Sequence, residues 1–352
     1  MKIAYFIGTL RVEDGVAKVL LRMAEYAVNN GHKAVIITGY VEPEVHSPVP
    51  VWTIPSVVFP LYKDYRLPLP GDKGFKKKLE KFKPDILHVH SPDTIAWAAL
   101  KYAKEHKLPI MATHHTAFDR YLPYYHLGWA APILWTMLRR LYTKLAVVTS
   151  PSPTIADELK LHGISNTEVY LWGTNLKLFN PEAYSVDYRK KLCPKTRPLI
   201  SSISRLTWEK DLKILAATYN LLRKKLGKDG FCMVVAGEGP AAAELKRMMP
   251  GAIFKGHLND GELQATYASS DIFLFPSHTE TFGLVALEAM ASGAVPVVAN
   301  SGGSLAIVQH NKNGLLAEAM NPKDFAKKTL YLLEHPEKRK QLRETGIAYA
   351  KN

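Results

Sequence analysis

Short β-rich runs alternate with helical patterns along the whole chain, and this rhythm limits the fold more than any other feature. In the first half the runs are Ile3–Ile7, Ala34–Thr38, Ile86–His90, Pro109–Thr113, Leu145–Thr149 and Glu168–Leu171. In the second half they are Pro198–Ser204, Phe231–Ala236, Ala252–Lys255, Asp271–Phe275 and Val295–Ala299. Strands separated by helix-length segments need crossover connections, so they pair in parallel and helices cover both faces of the sheet. The expected class is α/β, with two doubly wound domains facing a central cleft. The segment WGTNLKLFNPE from Trp172 to Glu182 has no clear period and contains Gly, Asn and Pro, so it reads as the connection. This gives domains at 1–172 and 183–352 with a linker at 173–182.

In sheets of this kind, ligands bind beyond the carboxyl ends of the strands. At the first such end stands Asp14-Gly15-Val16, opening a helix Gly15–Asn29 whose Val16, Val19, Leu20, Met23 and Ala27 share a face and which stops at Gly31. Gly15 lets a backbone amide approach a phosphate or sugar, although one glycine opening a helix is ordinary turn chemistry. Ser152-Pro153 caps a helix over Thr154–Leu161.

The stretch DIFLFPSHTETFGLVALEAMASGAVPVV, Asp271–Val298, places two carboxylates on a strand–loop–helix corner. Glu280 sits in the loop. Glu288 lies inside the helix Gly283–Ala291, one residue round from the stripe of Leu284, Leu287 and Ala291, and is expected to be half buried. A half-buried carboxylate needs donors, which a pair of ligand hydroxyls supplies. Amides exposed around Thr281, Phe282, Gly283 and Leu284 form a helix N-terminus suited to a phosphate. On spacing alone an equal alternative stands, a first-turn Glu that complements the helix dipole and a second Glu satisfied by backbone. Elsewhere, Ser204-Arg205-Leu206 and Glu209-Lys210 put two cations beyond a strand end, where they would stabilise a departing diphosphate. Gly237-Glu238-Gly239-Pro240 ends the next strand as a tight turn.

Composition removes several classes. With 47% hydrophobic and 22% charged residues the chain is neither disordered nor fibrous. Two cysteines, Cys193 and Cys232, make a disulfide framework unexpected and fit a reducing cytoplasm. MKIAYFIGTL lacks a small-residue cleavage site and reads as a first strand rather than a signal segment. The longest apolar run, Gly128–Leu138, is broken by Pro132 and followed by Arg139 and Arg140, so no membrane span is expected. A net charge of +14 calls for an anionic partner. Nucleotide and phosphate ligands or an anionic membrane surface fit it, whereas no zinc spacing or aromatic platform supports nucleic acid.

The first half also holds an aromatic and basic surface. GFKKKLEKFK, Gly74–Lys83, reads as an amphipathic helix with Phe75, Leu79 and Phe82 apolar, either solvated or resting on lipid headgroups. YLPYYHLGWAAPILWTMLRRLYTK, Tyr121–Lys144, contains a helix Ala131–Tyr142 whose Leu and Trp residues serve the core or an interface. His88 and His90 alternate on one strand, and His114 and His115 end the next. No Cys or nearby carboxylate pair completes a metal set.

The run S-x-x-E-T-F-G-L-V-x-L-E-A-M-A-x-G-x-x-P-V-V resembles the signature of the retaining family 4 glycosyltransferases. S-R-L-x-x-E-K, at Arg205 and Lys210, and G-x-G-P match as well. His115-Thr116 with Phe118 and Tyr121 resembles the H-T-x-F-x-x-Y loop of members that glycosylate diacylglycerol, and Leu171-Trp172 looks most like the sulfoquinovosyl, glucuronosyl or mannosyl-diacylglycerol synthases. The resemblance implies a GT-B fold of two Rossmann-like domains, the first for the acceptor and the second for a UDP- or GDP-linked sugar. It implies a hexosyltransferase that needs no metal or other cofactor. Glu280 would face the donor sugar, Glu288 the ribose, and Arg205 and Lys210 the diphosphate. Gly15, Gly237, Glu238, Thr281, Phe282, Gly283 and Leu284 would line the donor, and Asp14, His115 and Tyr121 the acceptor, with His115 also in the catalytic set. The expected acceptor is a diacylglycerol-type lipid or another hydroxyl compound, and the expected place is the cytoplasm or the cytoplasmic membrane face. A soluble sugar acceptor, a non-catalytic nucleotide-sugar or membrane-binding module, and an epimerase are the rival readings. Two departures stand out: Asp14 replaces the first of two usual glycines, and Asn175 replaces an Asp. Members usually continue past Asn352 into a helix that crosses back to the first domain, and that final helix is expected to be missing.

Overall fold

β1 (Lys2–Leu10) is an interior strand of its sheet: Ala4 through Leu10 are all buried, and their alternation feeds two cores at once. Ala4 and Phe6 pack with Ile95, Ala99 and Leu138, while Tyr5 and Ile7 pack with Ala17, Leu20 and Ala24. Successive side chains of a strand point to opposite faces, so a strand covered on both sides must be apolar throughout. The computed structural model describes residues 1–12, 14–60, 65–71, 73–194 and 197–352, which form two compact units, Met1–Leu171 and Trp172–Asn352.

In the first unit β1 pairs in parallel with β2 (Lys33–Val41), and β3 (Val51–Thr53) lies beyond β2. A short antiparallel pair, β4 (Ser56–Val58) and β5 (Arg66–Pro68), forms its own sheet. On the other side of β1 come β6 (Ile86–Val89), β7 (Ile110–Thr113), β8 (Val147–Ser150) and β9 (Thr167–Val169), giving the order β3-β2-β1-β6-β7-β8-β9. The order reverses at β1 and β6, so the binding crevice of this sheet lies beyond their carboxyl ends.

The second unit repeats the plan. β10 (Leu199–Ile203), β11 (Cys232–Ala236), β12 (Ile253–Phe254), β13 (Ile272–Phe275), β14 (Val295–Ala299) and β15 (Leu315–Ala317) run in the order β12-β11-β10-β13-β14-β15, all in parallel. Its switch point is β10 and β13. One core lies between Ile200, Leu274 and Val297 and the helix Leu212–Leu226; the other lies between Phe273, Phe275 and the helix Leu284–Ala291. The segment at 172–182 packs with this unit through Trp172, Leu178 and Phe179. Asn175 closes its turn by accepting the Lys177 amide at 3.0 Å.

The cysteines correct one expectation. Cys193, which follows the helix Val186–Leu192, and Cys232, which opens β11, are joined by a disulfide across 39 residues. The fold brings their Cα atoms to 5.9 Å, within bridging range. Their small number therefore no longer argues for a reducing compartment. Among the described residues no helix is long and apolar enough to cross a membrane.

Candidate active site

The loops leaving β10 and β13 meet at the switch point of the second sheet and are fastened to each other by specific bonds. Asp211, almost fully buried, accepts the His278 amide at 2.9 Å and faces its Nδ1 at 2.6 Å. Thr279 Oγ1 donates to the Glu209 carbonyl at 2.8 Å. The Lys210 ammonium then meets the Glu280 carboxylate in an ion pair in which both side chains are largely shielded, 11% and 15% exposed. Two residues expected to serve the donor from separate motifs thus form one group.

Three glycine contacts hold this arrangement. Gly237 adopts φ +121°, and a Cβ there would lie 1.8 Å from the Ser204 carbonyl oxygen. Gly239, at φ +152°, is pressed in the same way against Leu206. The turn after β11 is therefore moulded to the segment carrying Arg205, and the Leu206 amide donates to the Glu238 carbonyl at 2.7 Å. Glu238 directs its carboxylate toward the His257 amide. On the other side Gly303 donates its amide to the Glu280 carbonyl at 2.7 Å, and a Cβ on it would sit 2.0 Å from the Thr281 carbonyl. Gly303 was not legible as a site residue, because only the tertiary fold brings it beneath Thr281.

The corner after β13 differs from expectation in two ways. Thr281, Phe282 and Gly283 are buried rather than open, since Gly303 underlies them and Phe282 stacks edge-on against Trp172. Glu288 is buried rather than half buried. It accepts from the Tyr267 hydroxyl at 3.3 Å, and burial together with this carboxylate holds the Tyr267 phenol well above its usual pKa. Tyr267 lies in the helix Asp260–Ser269, outside the recognised motifs. Gly283, at φ +89°, begins the helix Leu284–Ala291.

In the first unit, Asp14 caps the helix Gly15–Asn29 by accepting the Val16 amide at 2.9 Å. Gly15 is exposed with no positive φ, and a Cβ there would meet nothing within 4 Å. Neither backbone geometry nor packing demands a glycine, which leaves room for close approach of a ligand. His115 is buried beyond β7, with its Nε2 2.8 Å from His90 Nδ1, and His88 Nε2 lies 2.7 Å from Thr113 Oγ1. Desolvation, the first cause in each case, holds His88 down to about 3, His114 to about 4, and His90 and His115 well below the imidazole range. All four are neutral at pH 7. Among the described residues no group of three or more His, Cys, Asp or Glu is arranged to hold a metal ion. The following loop is tied by Arg120 to Glu158 at 2.7 Å, with Tyr121 partly exposed beside it.

Surface features missed or blurred in the sequence are resolved here. Lys76 is tied to Glu105 at 2.6 Å and Lys78 lies over the Trp52 ring, while Phe75 and Leu79 are buried, so the helix Lys73–Phe82 is engaged with its own unit. The helix Ala131–Tyr142 divides its apolar residues: Leu138, Leu141 and Tyr142 enter the core, whereas Ile133 and Met137 are 63% and 41% exposed, as is Trp129, 71% exposed, in the short turn Gly128–Ala130 just before it. Arg139 and Arg140 extend from its end.

The family described as "Glycosyltransferase Family 4" matches residues 14–174, and "Glycosyl transferases group 1" matches 186–349. The chain is 31% identical over 319 residues to a GDP-mannose-dependent alpha-mannosyltransferase of Corynebacterium glutamicum, covering 88% of this chain and 75% of that one. It is 27% identical to an alpha-monoglucosyldiacylglycerol synthase of Streptococcus pneumoniae, covering 91% and 78%. The sucrose-phosphate synthase structure from Thermosynechococcus elongatus superposes with a TM-score of 0.82 at 19% identity, covering 99% and 94%, and so shares the fold.

Proposed function

The chain belongs to the group 1, family 4 glycosyltransferases of GT-B fold, enzymes that use nucleotide sugars, and from that premise we propose that it transfers a hexose with retention to a diacylglycerol-type lipid. The observation that carries the donor half is the Lys210–Glu280 pair at the switch point of the second sheet, where the loop after β10 also carries Arg205. Arg205 and Lys210 stabilise the diphosphate as its charge develops, the electrostatic role that a metal ion fills elsewhere, so no metal cofactor is assigned. The Glu280 carboxylate is already engaged by the Lys210 ammonium. The acceptor hydroxyl therefore gives its proton to the departing phosphate oxygen while its own oxygen bonds to the anomeric carbon. Attack from the face on which the diphosphate leaves keeps the configuration.

On the acceptor side, neutral His115, oriented by His90, is assigned a hydrogen bond to the hydroxyl, with Asp14 and Tyr121 as further acceptor contacts. A lipid acceptor is favoured by the Trp129, Ile133 and Met137 ridge with its terminal arginines, which has the composition of an interfacial helix. It is also favoured by the diacylglycerol-linked name of one relative. The test is incubation with UDP- and GDP-sugars and vesicles of diacylglycerol in anionic phospholipid, with the anomeric product read by NMR. Trp129→Ser with Ile133→Ser should lower vesicle binding at least tenfold, since burying each side chain is worth about 1.5–3 kcal/mol. A parent protein that ignores vesicles and glycosylates a soluble sugar would overturn the lipid assignment and leave the donor chemistry standing.

Glu288 is assigned to the ribose. Because that contact exists in ground and transition states alike, Glu288→Ala should weaken nucleoside diphosphate binding at least tenfold, while Glu280→Ala acts mainly on turnover. Calorimetry with UDP and GDP reads the first directly. Unchanged affinity in the Glu288 variant would remove the ribose role.

A further inference from the structure

The second sheet carries another concave site at its opposite edge. A cavity of about 580 Å³ opens at the amino ends of β10 and β13, where Pro198 and Asp271 precede the strands. At about 3.3 Å per strand residue, β10 alone separates it from Arg205 by about 17 Å. The volume lies in the range of small-molecule sites.

Its lining is unusually cationic. Arg189, Arg197, Arg339 and Arg343 line it with a single carboxylate, Asp271; counting also Asp229, which pairs with Arg197, four positive charges stand against two negative, a net of +2. Asp271 is already committed: it accepts the Leu199 amide at 2.8 Å and lies 3.6 Å from Arg189 and 3.8 Å from Arg339. Arg189 is buried and fixed in place by the carbonyls of Cys193 and Arg197. Among the described residues Arg197 pairs with the exposed Asp229. Arg343 has no hydrogen bond or ion pair among the described residues. Ser269, 4% exposed, also lines the cavity, and its buried Oγ lacks a hydrogen-bond partner among the described residues.

Fixed guanidinium groups in excess of carboxylate, with an unsatisfied buried hydroxyl, complement a multivalent oxyanion, because guanidinium binds phosphate through paired N–H donors. We propose that this cavity is a second ligand site, distinct from the transferase site, for a small molecule bearing phosphate or diphosphate. A concave pocket of this size selects a small anion over a membrane or a nucleic acid. The assignment stands independently of the transferase reading.

The probe is inorganic pyrophosphate, titrated calorimetrically into the full chain saturated with UDP and GDP, and separately into Lys210→Ala without nucleotide. One pyrophosphate per chain is expected in both settings. Arg343→Gln should weaken it at least tenfold without altering nucleotide binding, whereas Lys340→Gln, an exposed charge on the same helix, Pro336–Lys351, should not. The assignment is overturned if pyrophosphate fails to bind once nucleotide is present, if its binding disappears in Lys210→Ala, or if Arg343→Gln and Lys340→Gln behave alike. If neither nucleotide binds, the Lys210→Ala titration still decides this site, and only the donor assignment is lost.

Discussion

Lys210→Ala should lower turnover by about 10²–10³ while leaving the fold intact, and Arg205→Ala should do the same, as removal of one preorganised donor to a developing anion does elsewhere. Lys210 needs a control, because its ion pair with Glu280 is largely shielded. Deleting one member of a buried pair strands the other charge and costs about 3–5 kcal/mol in the fully buried limit. A loss of turnover could then reflect a displaced loop. The double variant Lys210→Ala with Glu280→Gln removes the stranded carboxylate, so it should recover thermal stability and remain slow. Arg205→Ala needs the same check of thermal stability before its turnover is read. Near-normal turnover in both single variants would sink the leaving-group assignment, and recovery of turnover in the double variant would assign Lys210 to loop architecture alone.

What the sequence disclosed was whatever is periodic or contiguous. The helices Gly15–Asn29 and Ala131–Tyr142 are found where their apolar spacing places them, and Ser152 caps its helix through the Ile155 amide. The two parallel sheets follow from the strand rhythm. The three-residue strands β3, β4, β5 and β15 were not foreseen, whereas the equally short β9 and the shorter β12 were caught by the runs Glu168–Leu171 and Ala252–Lys255. The contacts that shape the corner are long-range: Asp211 to His278, Gly303 to Glu280, Tyr267 to Glu288. No local pattern announces them. The disulfide escaped for a similar reason, since a count of two cysteines says nothing of their distance in the fold. The histidines show the same limit. Their positions at strand ends were visible, but the pairing of His90 with His115 depends on how the chain turns after β7.

That histidine line makes the first unit acid-labile. A group whose folded pKa lies below its unfolded value binds fewer protons in the native state, so its contribution is complete above the unfolded pKa and is lost as pH falls through it. For His88, held at about 3, and His114, at about 4, that loss begins near pH 6.5. Between pH 7 and 5 each costs about 2 kcal/mol. His90 and His115 shift in the same direction and add to the loss. Asp93 opposes it. Burial raises its carboxyl to about 6, above the unfolded value, so the native state gains a proton on acidification and recovers about 1 kcal/mol. Two histidines at about 2 kcal/mol each, less about 1 for Asp93, leave a net loss of about 3 kcal/mol before His90 and His115 are counted. Most domains have only 5–15 kcal/mol to lose. Hydrogen exchange, corrected for the intrinsic rate, should therefore show β6 and β7 losing protection at pH 5 while β10 and β13 retain theirs. His114→Phe, which keeps a buried ring without a titrating nitrogen, should blunt the effect. Equal protection of β6 at pH 7 and pH 5 would mean that these imidazoles are not held neutral by burial, and the neutral His115 assigned to the acceptor would lose its physical basis.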